Sequence, residues 1–192
     1  MNDRKVKNMN TTAAKSKIFS TVRYFIKPMI VTMTAFVLMM VTGFHIVTVE
    51  GASMNTTLES GEIIVVTNFL YTPQSGDIVC ISQGAPLFKN IVKRVIAVEG
   101  QSIKLDYDND KIYVDGKELD EPYLECSTFE DKRGNYDIPE VVPEGKIFVM
   151  GDNRSVSLDS RNSTVGFVDI DDVIGKAQFA VFPFDRFGGF DN

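Results

Sequence analysis

The sequence is poor in residues on which much enzyme chemistry rests. Its 192 residues include one histidine and two cysteines. The single imidazole, His45, lies in an apolar run and reads as a neutral side chain near a membrane interface. A Ser-His-Asp mechanism has little to stand on. Cys80 and Cys126 leave two options open, an external disulfide or, for Cys80 in its Ile/Val-rich surroundings, a buried thiol. Neither their spacing nor their neighbours suggest zinc. There is no internal repeat and little amphipathic helix. Disorder is excluded as well, because 14 Phe and only 24% charged residues give the chain ample apolar surface to bury. The length fits one ordinary domain with a small attachment.

The longest absence is of charge. Residues 28–49, PMIVTMTAFVLMMVTGFHIVTV, contain no Lys, Arg, Asp or Glu. As a helix they would cover about 33 Å, enough to cross a hydrocarbon core of about 30 Å. A cleaved signal peptide is the rival reading, with Gly51-Ala52-Ser53 as its small-residue site. Such peptides have a shorter apolar core, so an uncleaved anchor is the better reading. The flanks differ in sign. Residues 1–27 hold seven basic side chains and one acid, a net of +6, whereas residues 50–192 carry a net of −12. The basic leader places the N-terminus in the cytoplasm and the acidic body outside. That body would repel phosphate, which argues against nucleic acid as a partner.

Beyond the span the pattern turns to short strand-like runs. Residues 63–66, 78–81 and 91–98 are rich in Ile and Val and bounded by Gly, Pro and Asn. Residues 102–107 and 111–114 flank Asp108-Asn109-Asp110 as a hairpin, and Asp115-Gly116 makes the next turn. Asp106, Asp108 and Asp110 alternate as calcium ligands do, but the loop's glycine and distal glutamate are missing, so a solvated turn is preferred. Residues 121–143 are polar and turn-rich, and 146–150 and 174–182 are again strand-like. The expected architecture is mostly β: an antiparallel sheet or barrel-like catalytic domain over residues 50–192, preceded by a basic leader (1–27) and one transmembrane helix (28–49).

Ser53 follows the predicted span by four residues. A serine needs a base to accept its proton, and with no usable histidine that base must be a lysine or a carboxylate. Lys93 interrupts the apolar run Ile91-Val92-Lys93-Arg94-Val95-Ile96. In a strand it shares a face with Ile91 and Val95, while Arg94 points to the other. Apolar walls would lower its pKa and leave a neutral amine, as a general base must be. A surface strand with both cations on its edge explains these residues equally well. The stretch from Gly151 to Arg161, GDNRSVSLDSR, reads as a structured polar loop whose acids and arginines suit bidentate pairing.

Together these segments resemble the bacterial type I signal peptidases, membrane-anchored Ser-Lys endopeptidases. Ser53-Met54-Asn55-Thr56-Thr57-Leu58 resembles the family's S-M-x-P-T-L motif, and Gly76-Asp77-Ile78-Val79 its G-D-x-V strand. Lys93-Arg94-Val95 through Gly100 resembles K-R-V-x-x-x-x-G, and Gly151–Arg161 agrees with G-D-N-R-x-x-S-x-D-S-R at every fixed position. Residues 182–188, FPFDRFG, are similar to the family's ending. The resemblance covers roughly residues 28–188. Five short motifs in the family's order are far more specific than any one of them.

The resemblance implies that Ser53 is the nucleophile, Lys93 the general base, and Ser157 the hydroxyl that orients that lysine. It implies an ion-pairing framework of Asp152, Arg154, Asp159 and Arg161. Met54, Leu58, Ile91 and Val92 are the implied pocket residues for small side chains, and the Ser53 N–H the oxyanion donor. Some members add a hydroxyl two residues before the nucleophile, where this sequence has Gly51. Thr56 stands in place of the usual proline, which would stiffen the turn after the nucleophile. The implied partners are exported preproteins and the lipid bilayer, and no cofactor or metal is required. Three rivals remain. Related self-cleaving repressors are soluble and bind DNA, unlike an anchored acidic chain. A peptidase dedicated to a narrow client such as pilin precursors, and an anchored binding domain without catalysis, stay open.

Overall fold

The computed structural model describes residues 24–37, 43–82, 90–124 and 136–190. Most of the leader and Cys126 lie outside the described residues. The chain divides into two units, Met1–Gly43 and Phe44–Asn192. In the first, residues 24–37 are helical. Among the described residues, no helix is long and apolar enough to cross a membrane.

The second unit is built from eleven described strands: β1 (Phe44–Thr48), β2 (Ile63–Thr67), β3 (Ile78–Ser82), β4 (Asn90–Val98), β5 (Ile103–Asp106), β6 (Lys111–Val114), β7 (Lys117–Glu118), β8 (Lys146–Met150), β9 (Val168–Asp169), β10 (Val173–Phe182) and β11 (Gly188–Gly189). Eight form one antiparallel sheet in the order β1-β2-β10-β3-β4-β8-β9, with β11 beside β10. The remaining three, β5-β6-β7, make a separate small sheet. The expected mostly β, antiparallel class is correct.

One boundary is corrected. The helix expected to run to Val49 gives way to strand β1 at Phe44, paired with β2 from Phe44↔Thr67 to Thr48↔Ile63. Ile46, Val47 and Thr48 are β-branched and favour a pleated, partnered surface over a helix. His45 is thereby an exposed strand residue opposite Val66. The β-rich unit accordingly begins at Phe44 rather than residue 50.

Three apolar clusters fill the second unit. Met54, Leu58, Ile64, Val66, Ile78, Cys80 and Val92 belong to one. Val79, Ile81, Val95, Ile147 and Val149 form another, with Ile91 packed against it. Ile96, Ile103, Ile112, Phe148 and Met150 belong to the third, joining the small sheet to the large one. Register between β3 and β4 is regular from Ile78↔Arg94 to Ser82↔Asn90, so successive β4 side chains leave opposite faces. Asp115 and Gly116 both have positive φ, 52° and 72°, at the two-residue turn between β6 and β7, as a type I′ hairpin requires. The Asp106 carboxylate accepts bonds from the Asp108 and Asn109 N–H groups, so it is engaged in closing the β5–β6 turn.

Candidate active site

Strand β4 is flanked by β3 and β8, and this position buries the side chains of its middle, residues 92–97. Lys93, paired with Val79, is 3% exposed. Ser53 lies in the turn between β1 and β2. That turn is tightened by a bond from the Asn55 N–H to the Ala52 carbonyl (3.2 Å) and one from Leu58 to Met54 (2.8 Å). The fold brings the two side chains together across 40 residues of sequence. Lys93 Nζ lies 2.6 Å from Ser53 Oγ and also donates to the Val92 carbonyl at 2.9 Å. Burial lowers the Lys93 pKa from 10.5 to about 8; Asp159 and Asp152 raise it in part, and Arg161 lowers it again. The edge-strand alternative left open by the sequence is thereby excluded.

The polar loop holds the serine from behind. The Asn153 N–H donates to the Ser53 carbonyl at 3.0 Å. A Cβ at Gly151 would stand 2.4 Å from that same carbonyl oxygen and 2.4 Å from Ser157 Oγ, so only glycine lets the loop approach this closely. Buried ion pairs fix the loop in turn. Arg94 Nε and Nη2 donate to the two carboxylate oxygens of Asp152 at 2.9 and 2.8 Å. Arg161 likewise grips Asp159 through Nε and Nη2, both at 2.8 Å. Burial pushes the Asp159 carboxyl up, but its bonds to Arg161 outweigh this and hold it below its ordinary value. Arg154 pairs with Glu121, while Arg94 stacks 3.8 Å from the centre of the Tyr123 ring.

Asp152, Arg154, Asp159 and Arg161 are all buried and ion-paired. Ser157 does not make its expected bond. Its buried hydroxyl lies beside Gly151 and interacts with the Asp159 carboxylate, and Lys93 is oriented by Ser53 and the Val92 carbonyl instead. A cleft of about 620 Å³ opens over Ser53 and Lys93, and Met54, Ile91 and Val92 line it. Leu58 does not. It is wholly buried in the cluster beneath Met54 and Val92, because the turn carries it inward.

Several residues escaped the sequence reading. Ile46 to Thr48 of β1 and the following Val49 line the cleft, hidden by the expectation of a helix. Val156 and Leu158 line it too, 50% and 42% exposed. Two apolar side chains in an otherwise polar loop were the available signal. Thr57, whose hydroxyl donates to Asp152 at 2.5 Å, carried none. Cys80 is a free, buried thiol that burial pushes up to about 11, so it offers no competing nucleophile.

The profile described as "Signal peptidase, peptidase S26" matches residues 22–182, most of the chain. The chain belongs to the S26 family of signal peptidases. It is 39% identical to signal peptidase IB of Staphylococcus aureus over 173 aligned residues, covering 80% of this chain and 87% of the relative. Its identity to signal peptidase I of Bacillus amyloliquefaciens is 39% over 144 residues, covering 71% and 72%. A crystal structure of a signal peptidase I from Enterococcus faecalis shares 31% identity at a TM-score of 0.43, covering 55% of this chain and 97% of that one. Membership makes the chain a serine peptidase of the signal-peptide-processing class.

Proposed function

We propose that the chain is a membrane-anchored signal peptidase I that cuts exported preproteins after small residues, with Ser53 as nucleophile and Lys93 as general base. The observation that carries this reading is the 2.6 Å approach of a buried Lys93 amine to the Ser53 hydroxyl. Neutral Lys93 Nζ accepts the Ser53 proton as Oγ attacks the scissile carbonyl. The resulting ammonium passes that proton to the departing amine of the mature protein. Water then attacks the acyl-enzyme, giving up its proton to the same nitrogen, and Ser53 is restored. The Ser53 N–H faces the developing oxyanion. Gly51 supplies no hydroxyl there; its φ of +89° suits a residue without Cβ.

Substrate enters as an extended strand between residues 46–49, at the end of β1, and the start of β4. The apolar cleft walls, Ile46, Val49, Ile91, Val92, Val156 and Leu158, favour small uncharged side chains beside the cut. Anchoring rests on the charge-free run and the basic leader. With β1 starting at Phe44, the run shortens to residues 28–43, about 24 Å as helix. Extension back to Tyr24 restores about 30 Å, with Lys27 reaching toward the cytoplasmic headgroups by its aliphatic stem.

Cleavage of a preprotein in detergent or vesicles tests the reaction. Wild type should release the mature chain, and Ser53→Ala and Lys93→Ala should each lose about 10³-fold or more in kcat/KM. Undiminished cleavage by either variant ends the Ser-Lys assignment. A preprotein with a bulky residue before the cut should resist. Protease protection in sealed vesicles tests the topology, with the leader expected inside and the body accessible outside.

A further inference from the structure

Residues 182–188, FPFDRFG, have no part in the Ser53–Lys93 reaction, yet one of their side chains reaches the turn that carries Ser53. Arg186 Nη2 donates to the carbonyls of Thr56 and Thr57 at 3.0 and 3.4 Å. Its Nη1 pairs with Glu59. Its Nε lies 2.7 Å from Glu62, a carboxylate only 2% exposed, in an ion pair whose N–H is not aimed at the oxygen. One guanidinium thus touches four residues within seven positions of chain, all between Ser53 and the start of β2.

The same turn is held from its other side. The Thr57 hydroxyl donates to Asp152, and Asp152 is gripped by Arg94, the neighbour of Lys93. The turn is therefore clamped between residue 186 and the strand that bears the base. We propose that Arg186 is a positioning residue for the reaction: by fixing the Thr56 and Thr57 carbonyls it sets the approach of Ser53 to Lys93. The clamp also accounts for Thr56 at the position where the S-M-x-P-T-L motif it resembles has proline. A proline stiffens the turn through its ring; here an arginine stiffens it from outside through two carbonyls. The idea rests on the Ser-Lys reading above.

The test uses the full-length enzyme and a preprotein substrate. Arg186→Lys keeps a cation facing Glu59 and Glu62 and should fold, but a single ammonium lacks the planar fork that spans two carbonyls and two carboxylates. Small misplacements of a nucleophile cost on the order of 10–100-fold. Arg186→Lys should lower kcat by about that much with KM within about threefold, and with the melting temperature and the acid limb of the pH profile close to wild type. Introducing Thr56→Pro into Arg186→Lys should recover most of the lost kcat, because the ring stiffens the same turn and leaves its carbonyl in place. Wild-type kcat in Arg186→Lys overturns the proposal. So does a loss confined to KM, a loss that tracks thermal unfolding, or a double variant no faster than Arg186→Lys. If wild type cleaves nothing, or Lys93→Ala cleaves normally, the fault lies with the Ser-Lys reading instead.

Discussion

The buried amine of Lys93 ties both activity and stability to pH, in the same sense but over different windows. Folding lowers its pKa from 10.5 to about 8. At pH 7 about one molecule in ten then holds a neutral base, against about one in 3,000 for an unperturbed lysine, a gain of about 300-fold. Below pH 8, kcat/KM should rise about tenfold per pH unit and level off above it. For stability, the native protein binds fewer protons than the unfolded chain between pH 8 and 10.5, so folding strengthens as pH rises through that window. Below pH 8 both states are protonated, and the native state bears a buried charge at a cost of up to about 3 kcal/mol. Lys93→Met keeps the bulk and removes the charge. It should abolish cleavage, gain up to about 3 kcal/mol at pH 6–7, and lose the rise in stability between pH 8 and 10.5. Urea denaturation of both proteins across pH 6–10.5, with wild-type cleavage rates over the same range, measures each quantity. A cleavage limb centred near 10.5, or a Lys93→Met protein less stable than wild type at pH 6, would refute the account.

Two further outcomes follow from the contacts around this pair. Gly151→Ala places a methyl group 2.4 Å from the Ser53 carbonyl oxygen, so the loop must withdraw from the serine. Cleavage should fall by about 100-fold or more while far-UV circular dichroism keeps its β signature. Cys80, buried with its thiol pushed up to about 11, should resist a maleimide in the native protein and react on unfolding, as thiol counting by mass spectrometry would record.

How legible each part was in the sequence followed from how local its cause is. β4 and β10 announced themselves because their apolar runs are long and strand-like, and the Asp115-Gly116 turn because its chemistry is confined to two residues. Lys93 was legible as an ion in an apolar run. Its burial was not, since that depends on β3 and β8 flanking it. β1 failed for a different reason: a charge-free run satisfies a helix or a strand equally, and pairing with β2 some 20 residues later decides between them. Ser157 shows the limit of motif transfer. The residue is where the pattern puts it, but its hydroxyl is not bonded to Lys93, a matter of rotamer and neighbours that no motif records. Thr57 and Arg186 act through contacts 95 and 130 positions away, so no window of sequence contains them.

The strand order also governs when the enzyme comes into being. β10 lies between β2 and β3, although it is the last long strand to be synthesised. Until residues 173–182 emerge, β1-β2 and β3-β4-β8-β9 are two separate pieces, one attached to Ser53 and the other bearing Lys93. Such non-local closure is slow and cooperative. A chain lacking β10 should therefore have no working nucleophile, and proteolytic power appears in one step, once residues 173–182 have joined the sheet.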